Sequence, residues 1–229
     1  GDKFQGFMSA TGSAGTIACG DFLKKRFPLS KIVASEALQC PTLLCNGFGE
    51  HRIEGIGDKH VPWIHNLRNT DLVAGIADED CMRVLRLFNE KAGQEYLVQM
   101  GVAPEVVESL PLLGISSIAN LLTAVKTARY FEMSDRDVLL TVATDSLDMY
   151  RSRLAEERAL HGEYSGRSAA VHHERYLLGA ATDNLLAEQL TGKRPQSHDV
   201  RHRLRIPPLG KHSHGDNVLH LFSRLAWLA

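Results

Sequence analysis

Along the first 160 residues, four short apolar runs are interleaved with four stretches of helical spacing, and this alternation limits the fold more than any other feature. "FQGFMSA" (4–10) predicts a buried strand, and residues 14–27 predict a helix through Ile17, Phe22, Leu23 and Phe27, stopped by Pro28. "KIVASEA" (31–37) predicts a second strand. "TDLVAGIADEDCMRVLRLFNE" (70–90) predicts a third strand at "LVAGI", then a helix that Asp78 would cap with Asp80 in its first turn. A helix over 115–131 precedes "DVLLTVATD" (137–145), a fourth strand, and "SLDMYRSRLAEERAL" returns to helix. Strands alternating with helices imply an α/β fold, an open, mainly parallel sheet with helices on both faces.

The pattern changes after residue 160. Residues 168–190 predict one or two helices, and from Thr191 the chain is rich in Pro, His, Lys and Arg. "RIPPLGKHSHGDN" (205–217) predicts a linker before the apolar tail "VLHLFSRLAWLA". The expected division is therefore an α/β domain over 1–160, with a helical and irregular extension over 161–229.

Composition removes several function classes. The 229 residues are 44% hydrophobic with a net charge of −1, so there is no concentrated basic stripe for nucleic acid. No apolar run approaches the ~20 residues of a membrane-spanning helix, and the first ten residues lack the apolar core of a secretory signal. Cys19, Cys40, Cys45 and Cys81 contain no CxxC pair, which favours reduced thiols in a cytoplasmic protein. Of the 11 histidines, His198, His202, His212, His214 and His220 gather in the tail. With no cysteine or HExxH nearby, and Pro207 and Pro208 between them, no metal site is expected.

The candidate site lies in "ATGSAGT" (10–16), between the first strand and its helix. Gly12, Ala14 and Gly15 permit close backbone approach, Thr11, Ser13 and Thr16 carry hydroxyls, and a helix start presents free N–H groups and a partial positive charge. Either a tight capped turn or a phosphate cradle satisfies this composition. The loop lacks the GK[ST] of a nucleotide P-loop and the full GxGxxG of a dinucleotide fold.

Further motifs, in order, favour a cradle of another kind. "TGSAGTI" (11–17) resembles the GTGGT or GSGGT phosphate loop of fold type II pyridoxal-phosphate enzymes, the cysteine synthase and cystathionine β-synthase group. "KIVASEA" resembles that family's next strand with its acidic residue, and "HRIEGIG" (51–57) followed by "VP" is similar to its His-[Lys/Arg]-Ile-x-Gly-Ile-Gly segment. "GISS" (114–117) and "VATDSLDMY" (142–150) resemble a later helix start and a strand ending in Pro-[Ser/Asp]-Ser. The resemblance covers about residues 4–158, interrupted by an apparent insertion at 92–110.

The resemblance implies pyridoxal 5′-phosphate as cofactor, a small amino-acid substrate and a homodimer. Gly12, Ser13, Ala14, Gly15 and Thr16 would hold the phosphate, with Thr11 at the margin. Gly55, Ile56 and Gly57 would lie against the cofactor ring, and Ser146 would hydrogen-bond its pyridine nitrogen, unless Ser146 is only a helix N-cap. A serine there leaves the ring neutral, which suits β-elimination or β-replacement on a serine- or cysteine-like amino acid; Asp145 facing the ring would strengthen the electron sink instead.

The family's cofactor-bonding lysine lies well ahead of its phosphate loop. Lys3, Lys24, Lys25 and Lys59 do not match that motif, so no catalytic residue is assigned. The expectation is a C-terminal part of a lyase or transferase; the alternative is a non-catalytic relative acting as a binding or regulatory protein.

Overall fold

A computed structural model describes residues 2–187. The apolar runs become β1 (Lys3–Ala10), β2 (Lys31–Ala37) and β3 (Leu72–Ile76), which pair in parallel, with β4 (Asp137–Leu140) parallel to β1 on its other side. β5 (Leu185–Ala187) adds an antiparallel edge to β3, for the order β4-β1-β2-β3-β5.

The pleat divides β1 and β2 between two faces. Phe7 and Ile32 pack with Ala14, Ile17 and Leu23 on the side of helix α1 (Cys19–Arg26). Met8 and Val33, with Leu72 and Ala74 of β3, meet Ala124 of the opposite helix, α6 (Ile115–Tyr130). Helices therefore cover both faces of a mainly parallel sheet, as the alternation requires. Helix α6 has an unbroken buried run from Ile115 to Thr127, because it lies between the sheet and α3 (Asp78–Asn89).

The intervening chain supplies α2 (Thr42–Cys45), α4 (Lys91–Gln99) and α5 (Pro104–Ser109). Helices α7 (Arg151–His161) and α8 (Gly166–His173) follow β4. The largest core joins Ile76 of β3, Met82, Leu85 and Phe88 of α3, Leu97 of α4 and Ile118 of α6, and it takes in Ala169 and Leu177.

Several boundaries differ from the sequence expectation. Helix α1 begins at Cys19, not near residue 14, because Ala14 has φ +62 and the chain turns before it can wind. Strand β4 ends at Leu140, not at 145. Beyond it, Thr141 Oγ1 donates to the Met8 carbonyl and Asn120 Nδ2 donates to the Val142 carbonyl, so side chains replace the ladder. Asp78 is the first residue of α3 rather than its cap; Ala77 holds the N-cap and the Asp78 carboxylate accepts from Arg52 N at 2.7 Å. The helix expected from Ser146 opens with a 3₁₀ turn, Leu147–Tyr150. The described part of the 168–190 segment, up to residue 187, is α8, a π-turn at Glu174–Leu178 and then β5, not helix throughout. The histidine-rich tail and its apolar end lie outside the described residues.

Candidate functional site

Strands β1 and β4 are neighbours, yet the chain leaves β1 through α1 toward β2 on one face and reaches β4 from α6 on the other. The carboxyl ends of such a pair open a crevice at the point where strand order reverses. The loops 11–18 and 141–147 emerge there, from adjacent strands.

Thr11 fixes the departure of the first loop. Its N–H and its hydroxyl both donate to the Ser35 carbonyl, at 2.8 and 3.1 Å, so its side chain is committed to β2. Ala14 buries its methyl with Ile17 against Phe7 and Ile32, anchoring the loop from below. Thr16 Oγ1 lies 2.5 Å from Ser9 Oγ. Ser13 is exposed and, among the described residues, engages no protein partner.

The backbone is the notable part of the loop. From Gly12 through Ile17, six consecutive N–H groups donate to no protein acceptor among the described residues. The first-turn amides of α1 behave differently from expectation. Ala18, Cys19, Gly20 and Asp21 donate to the carbonyls of Ala14, Thr16, Ile17 and Ala18, so the open donors belong to the loop rather than to the helix start. A run of unpaired backbone amides of this kind can hold an anion.

The "HRIEGIG" segment closes against this loop. Gly57 N donates to the Thr11 carbonyl at 2.8 Å. A Cβ built on Gly12 would lie 3.6 Å from Ile56 Cα, so the two backbones run side by side. Gly55 and Gly57 have φ of +83 and +89, and the His51 ring occupies the space a Gly57 side chain would need. Ile53 is fully buried and roots the segment in the core.

The second loop is held from α6. Asn120, 3% exposed, accepts from Ala10 N at 2.7 Å and donates to the Val142 carbonyl at 2.8 Å. One amide thereby ties the last residue of β1 to the chain that follows β4. Sequence reasoning missed this residue; its only signal is a polar side chain inside an otherwise buried helical run. Gly114 N donates to the Asp145 carbonyl and Ser116 Oγ lies 3.1 Å from Thr144 Oγ1, bringing "GISS" and "ATDS" together.

Asp145 turns its carboxylate toward protein. Oδ2 accepts from the Tyr150 hydroxyl and Oδ1 from Thr144 at 3.4 Å. Burial, the Asp145 hydrogen bond and nearby carboxylates push the Tyr150 hydroxyl pKa well up, so it remains a donor. Ser146 is the N-cap of the 3₁₀ turn, accepting from Asp148 N at 3.3 Å while its own proton stays unassigned to any protein acceptor. The cap role and a ligand role are thus compatible in one hydroxyl.

An open groove leads from Thr11, Gly12 and Ser13 past Thr42 and Gly57 to Lys59 and His60. On its floor Glu36 accepts from Leu43 N and Leu44 N at 2.9 and 2.8 Å. Burial raises that carboxyl above its ordinary range, against the pull of the two amides. Lys24 is paired with Asp71 at 2.8 Å and Lys3 starts β1 at the far end of the sheet, whereas Lys59 lines the groove. Among the described residues no three histidine, cysteine or carboxylate side chains converge as metal ligands, and no helix is long and apolar enough to cross a membrane.

The chain is 31% identical over 147 residues to cysteine synthase B of Campylobacter jejuni, covering 64% of this chain and 42% of that protein. It is 30% identical over 151 residues to the O-acetylserine dependent cystathionine beta-synthase of Bacillus subtilis, again 64% and 42%. Among solved structures, O-acetyl serine sulfhydrylase isoform 3 of Entamoeba histolytica superposes with a TM-score of 0.54 at 22% identity, over 74% of this chain and 45% of that one. A hydrogen sulfide-producing enzyme of Fusobacterium nucleatum gives 0.52 at 24% identity, over 81% and 48%. Structural likeness at these identities shows the fold. No protein-family model matches the chain. The chain spans less than half the length of the curated relatives it matches.

Proposed function

We propose that this chain, similar along most of its length to cysteine synthases, is the phosphate-binding part of a pyridoxal-phosphate-dependent lyase or transferase. The observation that carries the reading is the run of six unpaired N–H groups, Gly12 to Ile17, braced by the Gly57–Thr11 hydrogen bond. A doubly charged phosphate fits this cradle without a basic side chain, because the oriented amides of the loop supply the positive potential.

The N–H groups of Gly12, Ser13, Ala14, Gly15 and Thr16 would hold the phosphate, joined by the Ser13 hydroxyl. Thr11 supports the cradle through Ser35 rather than touching the anion. Gly55, Ile56 and Gly57 present backbone to the ring, and Ser146 donates its free proton to the ring nitrogen. Asp145 is occupied by Tyr150 and Thr144, which favours the neutral serine in that role. Pyridoxal 5′-phosphate bound here supplies an electron sink for a carbanion at an amino acid's Cα. A serine partner keeps that sink weak, which suits β-elimination or β-replacement on a small serine- or cysteine-like substrate. The same reading carries a cytoplasmic homodimer, with the cofactor-bonding lysine outside these residues.

Pyridoxamine 5′-phosphate tests the reading, because it is fluorescent and needs no lysine. The expected result is saturable binding at least about tenfold tighter than that of pyridoxamine, since phosphate contacts to oriented amides are charge-assisted. Equal affinity for the two would overturn the phosphate assignment.

A further inference from the structure

Two ion pairs connect the ring-facing glycine loop to the helix that follows Ser146. Arg52 Nη1 donates to Glu157 Oε1 at 2.8 Å, and Arg153 Nε donates to Glu54 Oε1 at 2.5 Å. Arg153 and Glu157 are one turn apart on α7, so they share a face and grip alternate residues of "HRIEGIG". Glu157 is 1% exposed, and its second oxygen accepts from Arg83 at 3.4 Å. Arg52 is held further by Glu79 at 2.5 Å, and its backbone N–H by Asp78. The glycine loop is thus fixed at residues 52 and 54, immediately before Gly55.

Helix α7 begins one 3₁₀ turn after Ser146. The hydroxyl that would meet the ring's edge and the glycines that would meet its face are therefore parts of one clamped unit. Neither ion pair involves the phosphate loop, which Thr11 anchors to the Ser35 carbonyl and which joins the glycine loop at Gly57, beyond the clamped residues 52 and 54.

We propose that Arg153–Glu54 and Glu157–Arg52 are positioning pairs that set the distance between Ser146 and Gly55–Gly57, and so recognise the cofactor's ring but not its phosphate. The proposal rests on the cofactor reading above. An effect on the ring alone, as against a general loosening of the site, shows as a change in one ligand's affinity that leaves another's alone.

The test uses the 229-residue chain with two probes, pyridoxamine 5′-phosphate and inorganic phosphate. The variants are Arg153→Ala, Glu54→Gln and the charge exchange Arg153→Glu with Glu54→Arg; all three alter a half-exposed pair, so thermal melting checks that each folds. Each single variant should weaken pyridoxamine 5′-phosphate at least about fivefold and leave inorganic phosphate within about twofold. The exchange should return the first value to within about twofold of the starting protein. Equal weakening of both probes, no weakening of either, or an exchange that folds without restoring ring binding would each overturn the proposal. Failure of the unmodified chain to bind either probe would instead remove the cofactor reading, and this inference with it.

Discussion

Gly57 N and the Thr11 carbonyl are 2.8 Å apart, which makes the glycine loop and the 11–18 loop a single bonded unit although 46 positions separate them in the chain. The bond depends on a backbone angle that only glycine adopts freely, φ +89, and on the His51 ring filling the space above it.

Replacing Gly57 with alanine should therefore harm both stability and the site. Left-handed backbone costs an ordinary residue about 1–3 kcal/mol, and the methyl would displace His51. Urea unfolding should show a loss of that size, with pyridoxamine 5′-phosphate binding weakened by more than about tenfold. The exposed, positive-φ Gly101 has open space around it and is the control. Gly101→Ala should share the stability loss and spare the binding.

Asn120 has a demanding hydrogen-bond arrangement. It accepts from Ala10 N and donates to the Val142 carbonyl at once, using both ends of its amide. Asn120→Ala should cost about 1–3 kcal/mol, the penalty of leaving buried partners unpaired. Asn120→Asp keeps the acceptor but sets a carboxylate oxygen against the Val142 carbonyl, and should cost at least as much at neutral pH. Chemical denaturation of the two variants side by side checks the order.

His172 predicts an acid-sensitive step. Burial first, then the Arg83 and Arg86 charges, lowers its pKa from 6.5 to about 4. Its Nδ1 lies 2.9 Å from the Tyr164 hydroxyl. The unfolded chain thus binds this proton more readily than the folded one between those two values. Stability contributed by the neutral ring is present above pH 6.5 and is lost as pH falls toward 4. Replacing His172 with glutamine should flatten the slope of unfolding free energy across that window, measured by denaturation at several pH values. An unchanged slope would show that the ring is exposed to solvent protons in both states.

The parts of this molecule legible in sequence are those set by local patterns. The apolar runs of β1, β2 and β3 lie where their composition puts them, because a strand buried on both faces needs little else. The loop between β1 and α1 was likewise marked by its small residues. What escaped detection depends on distant partners. Asn120 bonds Ala10, 110 positions away, and its second bond, to the Val142 carbonyl, lies just beyond the end of β4 at Leu140. Asp78 has the composition of a helix cap, but Arg52 N claims its carboxylate from outside the helix. Strand β5 is only three residues long and forms against β3 because an edge is available there, which no local pattern announces.

The central claim is that backbone amides of residues 12–17 bind phosphate. A ¹H–¹⁵N spectrum recorded while inorganic phosphate and then pyridoxamine 5′-phosphate are added tests it directly. Saturable shifts should centre on Gly12 to Ile17, spread to Gly57 through its bond to Thr11, and extend to Gly55 and Ser146 only with the ring-bearing ligand. Shifts confined to Lys59 and His60 in the open groove, or none at all, would contradict the account.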